Sequence, residues 1–123
     1  GLALANGLGV AKNSAGAVKW FHKAAEQGGA DAQCYLGMML ANGQGVAKDE
    51  AEAAKWYRKA AKQGHAAAKC NFGVALVNGE GVAKDENEAA KWLRKAAEQG
   101  VSTAQCFLGV LLSNGQGVAK NEA

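Results

Sequence analysis

Proline is absent from the chain, and aromatic residues make up only 7% of its 123 positions. With 49% hydrophobic residues and alanine supplying much of that total, a core is expected, but one built from small, close-packed side chains. Charge is nearly balanced at +3, whereas a dedicated nucleic-acid domain usually carries a stronger, clustered basic excess. No apolar run approaches the roughly 20 residues that span a bilayer as a helix. There is no initiating Met and no signal-peptide pattern, and "GLALANG" opens partway through a unit, as a segment cut from a longer array would. The compartment is therefore not legible. What the chain does hold is glycine, 17 residues of it without proline. Loops usually draw on both, so these glycines are expected at fixed structural positions.

Their spacing bears this out. Gly9, Gly45, Gly81 and Gly117 are 36 apart, as are Trp20, Trp56 and Trp92, and Cys34, Cys70 and Cys106. A fixed period of this length marks an array of one supersecondary unit. Residues 31–66 and 67–102 are identical at roughly two-thirds of positions. The units divide as 1–30 (partial), 31–66, 67–102 and 103–123 (partial), forming a single array over 1–123.

Each unit reads as two helices. Helix A runs from about Asp31 to Asn42, with Ala32, Leu36 and Leu40 as its apolar stripe. Asn42-Gly43 closes it, because glycine accepts the left-handed backbone that ends a helix. Helix B starts at Asp49, where Asp49 and Glu52 fit a reciprocal capping box, as do Asp85 and Glu88. In the first copy Asn13 keeps the cap, but Gly16 lacks the carboxylate. Ala53, Trp56, Ala60 and Ala61 face inward, and Gly64 ends the helix. Gly37 lies inside helix A, with Gly1, Gly73 and Gly109 at the same position. An interior glycine costs about 1 kcal/mol relative to alanine. Its recurrence implies that a neighbouring side chain needs the space, and the helix B tryptophan is the expected occupant.

The stretch "AQCYLGMMLANGQGVAKDEAEAAKWYRKAAKQG" resembles the Sel1-like repeat, a relative of the tetratricopeptide repeat. The matching residues are Ala32, Leu36, Gly37, Gly43, Gly45, Val46, Ala54, Trp56, Lys59, Ala60, Ala61 and Gly64. The resemblance recurs in register over essentially the whole chain. One departure is leucine at positions 4, 40, 76 and 112, where the family often has tyrosine. The resemblance implies an all-α fold: a right-handed superhelical solenoid of antiparallel helix pairs, with helix A lining the concave surface and helix B the convex one. It also implies an adaptor that assembles other proteins.

The segment "NGQGVAK" at 42–48, repeated at 114–120 and nearly so at 6–12 and 78–84, could in isolation suggest a phosphate-binding loop. Such a loop normally occurs once, at a helix start. Four copies, each after one helix and before the next, read as punctuation.

Little else suggests chemistry. The three cysteines share one helix A position. Helices pack about 8–10 Å apart, whereas a disulfide needs Cα atoms within about 7 Å, so in-register neighbours are not expected to bridge. Free thiols lean towards a reducing compartment. A cysteine-rich branch of the family carries a second cysteine per repeat, which would fall near Ala25, Ala61 and Ala97 here. That absence counts against the β-lactam binding ascribed to the branch. His22 and His65 have no zinc-site spacing and read as surface residues, and no Ser/His/acid arrangement is visible. No enzyme, cofactor or metal is expected. Lys55, Arg58 and Lys59 align with Lys91, Arg94 and Lys95, and with Lys19, His22 and Lys23, as a basic stripe on helix B. A solvated face balanced by nearby glutamates is the favoured reading; nucleic acid or an acidic membrane, and an acidic protein partner, are the alternatives.

Opposite the apolar stripe, helix A presents Asp31, Tyr35, Met38 and Asn42, then Ala67, Asn71, Val74 and Asn78, then Thr103, Phe107, Val110 and Asn114. Apart from the asparagine row, this is where the copies diverge, and it is apolar for a solvent face. It suits a peptide or partner helix; the alternative is that some of these residues pack against a neighbouring repeat and that the asparagine row only closes helix A. The expected function is thus a non-catalytic protein-interaction scaffold working through this concave face. Nucleic acid and membrane are disfavoured partners, and a purely structural or designed array is the third reading. The ends look uncapped, which favours head-to-tail self-association.

Overall fold

The computed structural model describes residues 16–113. Six helices and no strand occur among them: α1 over 16–26, α2 (Ala30–Asn42), α3 (Glu50–Lys62), α4 (Ala66–Asn78), α5 (Glu86–Glu98) and α6 (Ser102–Ser113). The helices α2 and α3 pair, as do α4 and α5, and successive pairs stack through α3 on α4 and α5 on α6. This neighbour-to-neighbour packing is that of an all-α solenoid. The first-copy cap at Asn13 lies outside the described residues, as do the two chain ends for which self-association is expected.

The helix boundaries follow from the repeated punctuation. Helices α2 and α4 end at Gly43 and Gly79, both left-handed, with φ of 69° and 70°. Helices α1, α3 and α5 end in paired bonds around a glycine. In the α3 case Gly64 N–H donates to Ala61 O at 3.0 Å, and His65 N–H to Ala60 O at 3.2 Å. This pattern satisfies carbonyls that the helix end would otherwise leave open. Asp49 and Asp85 cap α3 and α5 by accepting from the N–H of Glu52 and Glu88. The expected reciprocal bond is not made. The N–H of Asp49 and of Asp85 instead donates to Leu40 O and Leu76 O, back in the preceding helix. Glu88 turns away and accepts from Trp92 Nε1 at 3.2 Å. The cap thus locks one helix to the other within a unit.

Inside each unit the helices touch through glycine, but the tryptophan is not the residue that needs the space. A methyl group on Gly37 would lie 2.7 Å from Tyr57 Cε1, and one on Gly73 2.7 Å from Leu93 Cγ. Tyr57 and Leu93 are buried. Trp56 packs edge-on against His22 of α1, in the preceding unit, and Trp92 against Phe72 of α4. The expectation fails because residue 57, four beyond Ala53, faces helix A, while Trp56 is turned about 100° from it. The rest of the expected core is in place: Ala32, Leu36, Leu40, Ala53, Ala60 and Ala61 are buried. So are Ala54 and Ala90, and these small side chains let the helices approach closely.

Within and between units, polar clamps recur at the same 36-residue spacing. Buried Gln33 donates through Nε2 to Ala25 O at 3.1 Å, and Gln63 Nε2 donates to Gln33 Oε1 at 2.8 Å. One unit on, Lys69 Nζ donates to Gln99 Oε1, and Gln99 Nε2 to Gly64 O. Gln105 Nε2 completes the series on Ala97 O. His65 belongs to the same seam. It is half-buried, not a free surface residue: Nδ1 accepts from Ala68 N–H as the α4 cap, and Nε2 lies 2.8 Å from Asp31 Oδ1. Gly81 is the tightest point of stacking. Its φ is 74°, and a Cβ there would run into the carbonyl of Glu50 and the amide of Ala51. The second glycine of the repeated segment is therefore a spacer between units as well as a turn residue.

Gly64 also has positive φ, 95°, but open space around it. Alanine at Gly64 is expected to cost about 1 kcal/mol for backbone strain alone. Alanine at Gly81 should cost more, about 2–4 kcal/mol, because backbone must also move. Thermal unfolding of the two variants by circular dichroism checks the order; equal melting temperatures would contradict the spacer role.

Candidate functional site

The face chosen from the sequence divides into two parts. One part is a groove of about 270 Å³ where α2–α3, α4 and α6 meet, spanning three successive units. Asn71, Val74, Thr103 and Phe107 line it, so four of the expected residues converge. The other part lies apart from the groove. Tyr35 is 51% exposed and stacks on Phe21 with ring centroids 5.3 Å apart. Met38 and Val110 are exposed, as are Asn42 and Asn78 at the ends of α2 and α4. Asp31 is exposed but committed to His65. Asn114 lies outside the described residues.

Sequence reasoning missed the groove's floor and rim. Ala53, Ala54 and Tyr57 come from α3, Cys70 from α4, and Glu50 and Glu80 from the start of α3 and the α4–α5 loop. A signal for Tyr57 was present, because Phe21, Tyr57 and Leu93 share one register and are all large. Glu80 occupies the one variable position of the repeated glycine segment.

Burial dominates the groove's electrostatics. Cys34 lies under Asn71, whose Nδ2 donates to its Sγ at 3.8 Å. Burial pushes the Cys34 thiol up from 9.0 to about 11; the Asn71 bond offsets part of this, and the Asp31 carboxylate adds to it. Burial likewise raises Cys70. Tyr57 is pushed up to about 12, first by burial and then by the negative charge of Cys34 and Glu80. At neutral pH these groups are protonated, and a neutral thiol is a poor nucleophile. No group of three His, Cys, Asp or Glu among the described residues could hold a metal ion. What the groove offers is apolar surface, an amide and two carboxylates.

The helix B stripe is partly engaged. Lys23, Lys59 and Lys95 sit over Trp20, Trp56 and Trp92, with Nζ 5.3, 4.6 and 5.1 Å from the ring centroids. Cation–π contacts of this kind hold the lysine stems against the helix. His22 lies 3.4 Å from Glu26. No helix of the described residues is long and apolar enough to cross a membrane.

Cys34, Cys70 and Cys106 are all free, and only Cys106 is exposed. One thiol per chain should therefore react promptly with a disulfide reagent at neutral pH, and three after denaturation. Stability should fall as pH rises from about 9 to about 11, because the unfolded Cys34 thiol ionises first. Urea midpoints across that range check the sign, with Cys34→Ala removing part of the slope.

Comparison with known proteins accords with this architecture. The family model "Sel1 repeat" matches residues 1–29, 30–65, 66–101 and 102–123. A Sel1 repeat protein from Oxalobacter formigenes is 46% identical with a TM-score of 0.84, over 94% of this chain and 48% of that one. A protective antigen of uropathogenic Escherichia coli strains, displaying an SLR fold, is 44% identical with a TM-score of 0.79, over 82% of this chain and 22% of that one. Helicobacter pylori cysteine rich protein B is 31% identical with a TM-score of 0.69, over 74% of this chain and 68% of that one. The chain thus spans about half, and about a fifth, of the first two proteins. No curated protein matches it. With four consecutive matches tiling the sequence and the helix pairs stacked in register, the chain belongs to the Sel1 repeat family.

Proposed function

We propose that the chain is a non-catalytic interaction scaffold that holds a peptide or partner helix on its concave face, the face contributed mainly by α2, α4 and α6. Sel1 repeats generally mediate protein–protein interaction, and proteins built from them are generally non-catalytic scaffolds. The observation that carries the reading here is the groove. It crosses three units, and part of its lining varies between copies: Asn71 in one copy is Phe107 in the next. Repeats that keep their scaffold and vary one groove use it for recognition. The exposed Tyr35 and Met38 extend the same face beyond the groove.

Burial keeps the Cys34 and Cys70 thiols protonated and poorly nucleophilic, which favours binding over thiol chemistry. The basic helix B stripe supports a second reading, a binder of polyanions, since Lys55, Arg58, Lys91 and Arg94 are exposed. Such binding would weaken steeply with salt, whereas apolar groove binding would not.

A pull-down from source-cell lysate separates the two. One bait is the chain itself; the other carries Tyr35→Glu and Phe107→Glu and is verified as folded by circular dichroism. A protein retained by the first bait and lost from the second is the expected result. Partners kept by both and released by salt would move the function to helix B.

A further inference from the structure

The groove has a charge sign opposite to that of the molecule. The chain carries a net +3, yet among the described residues Glu50 and Glu80 are the only charged ones lining the groove, and no Lys, Arg or His joins them. Among the described residues the close contacts between acidic and basic side chains lie elsewhere: His22 near Glu26, His65 Nε2 against Asp31, and Lys84 with Glu86. Glu50 and Glu80 have no cationic partner among them. By contrast, the carboxylates of Asp49 and Asp85 are taken up in capping α3 and α5. Two carboxylates thus stand beside an apolar floor in a chain of net positive charge.

The floor is apolar and small: Ala53, Ala54, Val74 and Ala75, closed on one side by Phe107 and on another by Tyr57. Small-molecule sites usually measure about 300–1,000 Å³. At about 270 Å³ this groove is sized for one or two side chains rather than for a cofactor. Asn71 adds a polar handle. Its amide N–H is turned to Cys34 Sγ, which leaves its carbonyl oxygen to accept from a partner's backbone. Glu80 and Tyr57 both line the groove, so negative charge stands beside the apolar floor.

We infer that the groove recognises a cationic peptide segment, one bearing a bulky apolar residue next to a lysine or arginine. The apolar side chain enters between Val74, Ala75 and Phe107, and the cation reaches Glu50 and Glu80. Charge-assisted bonds to the two carboxylates supply selectivity and register, while the apolar contact supplies most of the affinity. This inference rests on the interaction-scaffold reading above and narrows its partner.

A phage-displayed random peptide library selected against the whole chain tests it. Selected peptides should pair a large apolar residue with an adjacent Lys or Arg. A synthetic peptide of the enriched sequence should lose affinity by at least about tenfold against Glu50→Gln/Glu80→Gln. The same peptide should bind Lys55→Gln/Lys91→Gln unchanged, with all variants checked for fold by circular dichroism. Peptides without basic enrichment, or binding that survives the glutamine pair, would overturn the charge inference. If those peptides were still lost on Val74→Glu, the groove would remain the working surface. Peptides indifferent to Val74→Glu, or no selected peptide at all, would overturn both.

Discussion

Each helix pair closes on the absence of a side chain. At Gly37 and Gly73 the two helices approach until Tyr57 or Leu93 fills the space where a Cβ would stand. The approach draws Ala53 and Ala89 into the core with almost no exposure. Close packing of this kind, from alanine and glycine with few aromatics, compensates for a composition poor in large apolar groups. It also fixes the distance between helix A and helix B, and every later contact inherits that distance.

Stacking is set by a different group of residues. Gly81 lets one unit's loop lie against the first turn of the preceding α3, and the glutamine clamps tie the far ends. A solenoid is held only by such neighbour contacts, so small offsets between units shape its surface. The groove is a product of this stacking. Its residues come from three units, and no single unit carries it. Glu50 and Glu80 become neighbours of the apolar floor only because the α4–α5 loop is seated on the start of α3.

Much of the fold was legible because the punctuation is local. Glycine at Gly43 and Gly64, aspartate at Asp49 and Asp85, and the alternation between them define helix ends through backbone chemistry that neighbours do not override. What misled was size. Trp56 is the conspicuous side chain, but its place on the helix turns it to the preceding unit, while Tyr57 meets Gly37. The candidate face was half legible for a similar reason. A helical wheel finds Asn71, Val74 and Phe107 because they fall on the same face of helix A in successive copies. It cannot find Ala53, Tyr57, Glu50 or Glu80, which reach the groove from another helix and a loop. His65 was invisible as a cap because histidine is rarely read as one, yet its Nδ1 accepts the α4 N–H.

The measurement that bears most directly on the account is a double-mutant cycle on Gly73 and Leu93, followed by urea unfolding. Gly73→Ala alone should destabilise, since its methyl would stand 2.7 Å from Leu93 Cγ. Leu93→Ala alone should destabilise by about 2–5 kcal/mol through the cavity it leaves. Combined, the two should be less destabilising than their sum by at least about 1 kcal/mol, because the added methyl then enters vacated space. Strict additivity would contradict the claim that this glycine exists to admit that side chain.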